Sequence, residues 1–230
     1  MHDEHFNPLD NPVWHSLQTI QRYFAHGTEN VQRYAADVLP FMGYDPEKFT
    51  GLEEIAPWIS PAGEALFIVG ELPVLPEKWD VINELVCSQM VCETKPEEIP
   101  HNEEIILLTE ADREEMVNFV NEGQPGYFLA QTPSLGDYYG IRKHGKLVAL
   151  AGQRMRMPGL TEVSAVVTHK DHRGKGYAGI LTRHVAREIF EAGDIPFLHV
   201  LHNNQTAISI YERIGFAVRR AISFWKIAVK

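Results

Sequence analysis

Apolar residues recur at helical spacing in the first part of the chain. The period is carried by Trp14, Leu17, Ile20, Tyr23 and Phe24, after a turn-like Asn11-Pro12, and it predicts a first helix. A second helix is predicted over Thr28–Val38, with Thr28 as its N-cap. The unbroken apolar run Ala65–Val69 predicts a buried strand, and Trp79–Val91 again shows a helical period.

The later part of the chain alternates strand-like and helix-like patterns. A strand Ile105–Leu108 leads into a helix capped by Thr109, with Asp112 three residues on as in a capping box. Further strands are predicted over Tyr138–Arg142, Leu147–Arg154, Glu162–Val167, Phe197–Leu201 and Phe216–Ala228, and further helices over Ile180–Glu191 and Asn204–Ile214. This order, βαβββαβαβ, predicts a mixed α/β fold with a partly antiparallel sheet.

An acidic stretch separates the two patterns. Glu93–Glu104 carries Pro96 and Pro100, and it predicts a solvated linker. We therefore expect a smaller N-terminal α/β domain over residues 1–100 and a second domain over residues 101–230.

Charge and cysteine content narrow the classes of function. The formal net charge is −10, which disfavours a general binder of nucleic acid or anionic membrane, because such partners require a basic surface. No apolar run is long enough to cross a bilayer, and Met1–Asp10 has neither the basic start nor the apolar run of a signal peptide. Cys87 and Cys92 are too few for a secreted disulfide scaffold. These features predict a soluble, cytoplasmic protein.

The stretch Val163–Gly179 places a strand directly before a glycine-rich turn and a helix. A helix N-terminus offers unpaired N–H groups to an anion, and glycines let a pyrophosphate come close. The basic residues nearby are Lys170, Arg173, Lys175, Arg183 and Arg187. The pattern predicts a phosphate-binding turn; the alternative is a tight turn whose basic residues merely face solvent. Neither the P-loop spacing nor the context of a dinucleotide-binding fingerprint is present.

Two motifs at a characteristic separation resemble the GNAT superfamily of N-acetyltransferases. Arg173–Ala178 fits that family's turn signature, in which Arg or Gln is followed after two residues by Gly, any residue, and Gly or Ala. Its C-terminal motif is matched by Asn204, Ala207, Tyr211, Gly215 and Phe216. The resemblance covers about 125 residues. The N-terminal part is similar to that of glycine N-acyltransferase-like members, and it could also be a degenerate half of the same fold.

The resemblance implies that acyl-CoA lies in a gap between two splayed parallel strands, Glu162–Thr168 and Phe197–Leu201. The pantetheine arm would pair with the backbone of the first strand, and the turn would hold the pyrophosphate. The implied cofactor-binding residues are Val166, Val167, Thr168, Arg173, Gly174, Lys175, Gly176, Tyr177, Ala178, Gly179 and Asn204. Asn204 would either bond near the cofactor's arm or fix the loop after the second of these strands.

For catalysis, the resemblance makes Tyr211 a candidate general acid that protonates the departing thiolate. Its alternative is a core tyrosine whose hydroxyl caps another group. The backbone N–H near Val166 would stabilise the carbonyl oxygen. Glu162 is the candidate general base, through water if necessary, and its alternative is a solvated carboxylate. His169 and His202 are further candidates for the base. We expect no metal, because no carboxylate or cysteine completes the His169/His172 or His199/His202 pairs.

These features favour an N-acyltransferase that moves an acetyl or short acyl group from acyl-CoA to a primary amine by direct attack in a ternary complex. The acceptor would be a small-molecule amine or amino acid. A non-catalytic acyl-CoA-binding or sensing module is the alternative, since it needs the turn but not Tyr211. The identity of the acceptor, the acyl length and a homodimeric state are left open.

Overall fold

A computed structural model describes residues 4–60 and 64–230. The helices are α1 (Pro12–Gln18), α2 (Arg113–Gly123), α3 (Tyr177–Glu191) and α4 (Gln205–Ile214). The strands are β1 (Ala25–Gly27), β2 (Val31–Tyr34), β3 (Phe41–Tyr44), β4 (Ala65–Val69), β5 (Trp79–Val91), β6 (Ile106–Leu108), β7 (Tyr138–Lys143), β8 (Lys146–Met157), β9 (Leu160–Thr168), β10 (Ile195–Leu201) and β11 (Ala217–Val229).

In the described ranges, eleven strands form one mixed sheet in the order β1-β2-β3-β4-β11-β5-β10-β9-β8-β7-β6. The β3–β4 and β9–β10 pairs are parallel, and the other pairs are antiparallel. The predicted mixed α/β fold with a partly antiparallel sheet is therefore confirmed. Strands from both sides of residue 100 belong to this one sheet, while the division into two domains stays a prediction.

The later elements agree with the patterns read from the sequence. The Thr109–Asp112 capping box is present, ahead of α2. β7 and β8 form a hairpin, and His144 and Gly145 in its turn both have positive φ, as a two-residue hairpin loop requires. The strands and helices predicted between Glu162 and Ala228 correspond to β9, α3, β10, α4 and β11.

Two N-terminal predictions are wrong, and a third is confirmed only in part. The first helix is present as α1 but ends at Gln18, leaving Tyr23 exposed. Thr28–Val38 contains a turn and β2 rather than a helix. Trp79–Val91 is the strand β5, not a helix. Its C-terminal half is buried on both faces between β10 and β11, so the apolar positions do not alternate and can mimic a helical period.

The two faces of the sheet carry different layers. On one face, α3 and α4 bury an apolar stripe that includes Leu181, Val185 and Ile208. On the other, α1 and the segment before it cover a cluster that includes Leu9 and Phe41. Burial of each such side chain stabilises the fold by about 1.5–3 kcal/mol. α3 is thereby fixed along the sheet, with its N-terminus beside the end of β9.

The predicted solvated linker is largely exposed, but it is also hydrogen-bonded to α3. Arg183 donates a hydrogen bond to the carbonyl oxygen of Glu97 (2.9 Å), and Arg187 donates to that of Pro96 (2.7 Å). Lys95 forms an ion pair with Glu191 at the end of the helix. We call residues 95–101 the strap. None of the described helices has the length and apolarity needed to cross a membrane.

Candidate functional site

The site begins where β9 and β10 separate. These parallel strands pair only over Leu160–Glu162 and Ile195–Phe197. Beyond that point β10 continues to pair with β5, whereas residues 163–168 of β9 pair with no described residue on the β10 side. This edge of β9 therefore offers backbone N–H and C=O groups to a ligand in the gap.

A β-bulge lies in the open part of β9. The register with β8 shifts between the Gly152–Ser164 and Leu150–Val167 pairs. Ala165 within this shift has φ +52°, a left-handed conformation that is uncommon for a residue other than glycine. Bulges re-aim strand groups and occur often beside active sites. The bulge lies directly before Val166, so it changes the direction of the backbone at that position.

The glycine turn (residues 173–179) follows β9 after one short helical turn over Lys170–His172. Gly174 and Gly176 have φ +78° and +81°. Within the described ranges, no protein group accepts a hydrogen bond from the amides of residues 173–179. The first such bond of α3 runs from Ile180 N to Gly176 O (3.0 Å). A row of unpaired donors thus meets the positive end of the α3 dipole.

The glycines of the turn serve different purposes. A Cβ at Gly174 or Gly176 would meet no atom within 4 Å, so open space lies above the backbone at these positions. A Cβ at Gly179 would lie 3.5 Å from Ile210 of α4, an ordinary packing contact. Gly174 and Gly176 are therefore explained by positive φ and by an open surface, as expected of a site that a diphosphate approaches closely.

A cleft of about 1030 Å³ opens over the glycine turn and α3. Its lining includes Thr168, the glycine turn except Lys175, the strap residues Glu98–His101, Arg183, His184 and Arg187 of α3, and Thr206, Ile210, Arg213 and Ile214 of α4. The Thr168 hydroxyl oxygen is enclosed and forms no hydrogen bond with any described residue.

Tyr211 lies on the face of α4 that packs on the sheet. It is buried with Val163 of β9 and Val200 of β10, the two strands that separate at the gap. No described residue hydrogen-bonds its hydroxyl. The hydroxyl oxygen is not fully enclosed, so it retains access to open space. Burial raises the pKa of Tyr211 to about 12.

Asn204 caps α4 by accepting a hydrogen bond from Ala207 N (3.2 Å).

Glu162 is fully buried in a charged network at the base of the gap. Arg154 donates two hydrogen bonds to its carboxylate, from Nε and Nη2, both 2.7 Å long. His199 Nδ1 lies 2.8 Å from the same carboxylate. Burial by itself would raise the pKa of Glu162, but Arg154 and then His199 outweigh it and lower that pKa to about 2. Glu162 is therefore ionised and engaged, not solvated.

The tautomer of His199 follows from its other neighbour. Gln89 accepts from Arg219 through Oε1 (2.7 Å), so its Nε2 is the donor that faces Leu9 O (2.8 Å) and His199 Nε2 (3.0 Å). His199 Nε2 accordingly accepts a hydrogen bond, and Nδ1–H points at Glu162. Arg154 and His199 were missed by sequence reasoning. The available signal was Glu162 itself, because a carboxylate inside an apolar strand requires buried partners.

The alternative bases lie outside this network. His169 Nδ1 accepts a hydrogen bond from Asp171 N (3.2 Å), and His202 Nδ1 lies 2.9 Å from Ser88 Oγ.

In residues 4–60 and 64–230, no three His, Cys, Asp or Glu side chains are grouped as metal ligands. Of the predicted cofactor-binding residues, Thr168, Arg173, Gly174 and Gly176–Gly179 line the cleft, whereas Val166, Val167, Lys175 and Asn204 do not.

Comparisons with known proteins agree with this geometry. Residues 138–225 match the family model described as FR47-like protein. A mycothiol acetyltransferase from Corynebacterium aurimucosum is 33% identical over 69 residues, which cover 30% of this chain and 23% of the length of that relative. A GCN5-related N-acetyltransferase from Kribbella flavida shares the fold, with a TM-score of 0.66 and 17% identity over 100% of this chain and 96% of the other.

Another solved structure that matches nearly the entire chain is more similar in sequence. It is a GNAT-family protein from Novosphingobium aromaticivorans DSM 12444, with a TM-score of 0.88 and 31% identity over 97% of this chain and 99% of the other. Identity at this level, over the full length of both chains, places the N-terminal strands as well as the glycine turn in a common architecture. The chain belongs to the GNAT family of acetyltransferases.

Proposed function

We propose that this protein is an N-acyltransferase that transfers an acetyl or short acyl group from acyl-CoA to a primary amine in a ternary complex. The observation that carries the proposal is the row of unpaired amides in the glycine turn, placed at the end of a strand whose open edge borders the β9–β10 gap. A diphosphate at the turn and an extended arm along β9 would satisfy both sets of backbone groups at once.

The residues present fit acyl-CoA. Amides of residues 173–179 would hold the pyrophosphate, with Arg173 adding positive charge, and Val166–Thr168 would pair with the pantetheine arm. Bound acyl-CoA supplies an acyl group activated as a thioester.

Tyr211 is the proposed general acid. Because its pKa is raised to about 12, the hydroxyl keeps its proton through the neutral and mildly alkaline range. A phenol in that state can donate a hydrogen bond, and then its proton, to a sulfur that gains negative charge. The backbone N–H at Val166, after the bulge, is the proposed donor to the carbonyl oxygen as negative charge develops there.

Glu162 is the proposed base, and its ion pair sets a condition on that role. A carboxylate with a pKa of about 2 accepts a proton weakly. Base catalysis by Glu162 therefore requires that the Arg154 hydrogen bonds lengthen when the acceptor binds, or that water carries the proton away. His199 does not replace Glu162 in this role, because its Nε2 already accepts a hydrogen bond from Gln89.

A non-catalytic acyl-CoA-binding module is the second candidate. It is favoured by the same Glu162 geometry, since a carboxylate bound by Arg154 and His199 can have a purely structural role. This candidate keeps the glycine turn and assigns no chemistry to Tyr211.

Tyr211→Phe separates the two candidates. We expect kcat to fall on the order of 10²–10⁴-fold with CoA affinity nearly unchanged, because only the donated proton is lost. Thiol release from acetyl-CoA over a panel of amines and amino acids measures the rate, and calorimetry measures the affinity. Tyr44→Phe is the matched control, a buried tyrosine whose hydroxyl bonds Glu71 O far from the gap. If the wild type binds acetyl-CoA but acylates no amine, the binding module is the correct reading.

A further inference from the structure

The strap closes one end of the cleft. It follows β5, runs along the outward side of α3 from Glu191 to Arg183, and continues to β6 at the far edge of the sheet. Its backbone is held by Arg183 and Arg187, and Glu98 lies 3.6 Å from Arg187. Its residues Glu98–His101 line the same cleft as the glycine turn. The strap is thus a wall of the cleft, fixed to the helix at several points.

The space between the glycine turn and the strap has the length of a nucleotide. Gly176 and Arg183 are seven residues apart along α3, which corresponds to about 10 Å at 1.5 Å per residue. The floor of this space is the outward, half-buried side of α3, and one flank is α4 with Ile210 and Arg213. A ligand whose pyrophosphate is bound at the turn, and whose remainder extends along α3, reaches the strap after about 10 Å.

The walls offer both apolar surface and positive charge. Ile99 is 53% exposed although it is a large apolar residue, and Pro100 lies beside it on the cleft. Arg173, Arg183 and Arg213 have no carboxylate within 4 Å in the described part of the chain, although Arg183 donates a hydrogen bond to Glu97 O. Among the described residues that line the cleft, Glu98 has the sole carboxylate, and it is already paired with Arg187. Unpaired positive charge therefore lies at the turn, on α4 and, through Arg183, beside the strap, while Ile99 and Pro100 add apolar surface at the strap.

We propose that the strap completes a subsite for the 3′-phosphoadenosine half of acyl-CoA. Ile99 and Pro100 pack against the adenine ring, and Arg213 attracts the 3′-phosphate. Arg183 and Arg187 hold the strap in place through its carbonyl groups. The proposal rests on acyl-CoA being the ligand of the glycine turn, and it adds that the segment before β6 sets the affinity for the nucleotide.

Titration of the full chain with CoA and with 4′-phosphopantetheine, which lacks the nucleotide, tests the proposal. We expect the wild type to bind CoA more tightly than 4′-phosphopantetheine. Ile99→Ser should weaken CoA about tenfold, since an apolar contact is lost, and leave 4′-phosphopantetheine unchanged. Ile82→Ser, at a residue of similar exposure (56%) on β5, should change neither. Unaltered CoA affinity in Ile99→Ser, or equal affinity of the wild type for both ligands, would overturn the proposal.

A second variant reports on the 3′-phosphate. Arg213→Gln should reduce the preference for CoA over 3′-dephospho-CoA about tenfold by removing one charge-assisted contact, whereas Glu212→Gln on the same helix should not. An unchanged preference would remove Arg213 from the subsite. If the wild type binds none of these ligands, the proposed function fails along with the subsite, an outcome distinct from failure of the strap alone.

Discussion

Gly176 and Gly193 share a backbone conformation but not an environment. Their φ angles are +81° and +88°, and a Cβ at either would meet no atom within 4 Å. Only Gly176 lies at the cleft, beside unpaired amides at the start of α3. A comparison of the two positions therefore separates the cost of positive φ from the cost of an obstructed phosphate site.

Gly176→Ala and Gly193→Ala should each lower the free energy of unfolding by about 1 kcal/mol, because an L-residue is strained at positive φ. Only Gly176→Ala should weaken CoA binding, by at least about tenfold, since its methyl group occupies the approach to the amides. Thermal unfolding and calorimetry measure the two effects. Equal CoA affinity in the two variants would contradict the assignment of the turn.

At the residue scale, the turn could be predicted from the sequence, but the buried charge network could not. Gly174, Gly176 and Arg173 are adjacent in the chain, so their motif is visible as a string. Arg154, Glu162 and His199 come from three strands, and their contact depends on the register of β8, β9 and β10. No local spacing encodes that register.

At the element scale, Arg154, Glu162 and His199 connect β8, β9 and β10 at the point where the gap opens. Loss of one partner leaves a buried charge without compensation, and such losses typically cost about 3–5 kcal/mol. The network therefore fixes the position of the strands on either side of the gap, whatever part Glu162 plays in proton transfer.

The network also predicts how stability depends on pH. The pKa of Glu162 is lowered from 4.5 to about 2 in the folded protein, so its ionised form stabilises the fold above pH 4.5. That contribution is lost as the pH falls from 4.5 toward 2. Glu162→Gln should lower the free energy of unfolding at neutral pH by about 3–5 kcal/mol and weaken the loss of stability over that acidic range.

Denaturant unfolding at a series of pH values measures both effects. Glu212→Gln is the control, because Glu212 is an exposed carboxylate on α4. A Glu162→Gln protein with wild-type stability and the wild-type pH profile would show that the ion pair contributes nothing to the fold.

The elements differ in how well their patterns predicted them. β9, α3, β10 and α4 have clear periods and capping or turn signals, and all four were predicted. β5 was not, because residues 87–92 are buried on both faces by contacts with distant strands. The helix predicted over Thr28–Val38 is absent for a related reason. The strand β2 is determined by its pairing with β3 and not by local propensity.

At the scale of the whole molecule, β5 joins the two halves of the chain. It lies between β10 and β11 and pairs with both, so residues before 100 complete the sheet that carries the site. A fragment of residues 101–230 would expose the unpaired edges of β10 and β11 together with apolar surface.

We therefore expect the full chain to unfold in one cooperative transition and the 101–230 fragment to be aggregated or largely unfolded. Calorimetry of the full chain and circular dichroism of the fragment measure these outcomes. Two separate transitions, or a folded fragment that binds CoA, would instead support two independent domains with a boundary near residue 100.

The central claim is that the amides of residues 173–179 receive the diphosphate of acyl-CoA. Amide chemical shifts of isotope-labelled protein, followed by NMR during titration with CoA, test it most directly. We predict that the largest changes occur at Gly174, Gly176 and their neighbours in the glycine turn, with Gly193 unaffected. Saturable binding that leaves the amides of the turn unshifted and perturbs another surface would contradict it.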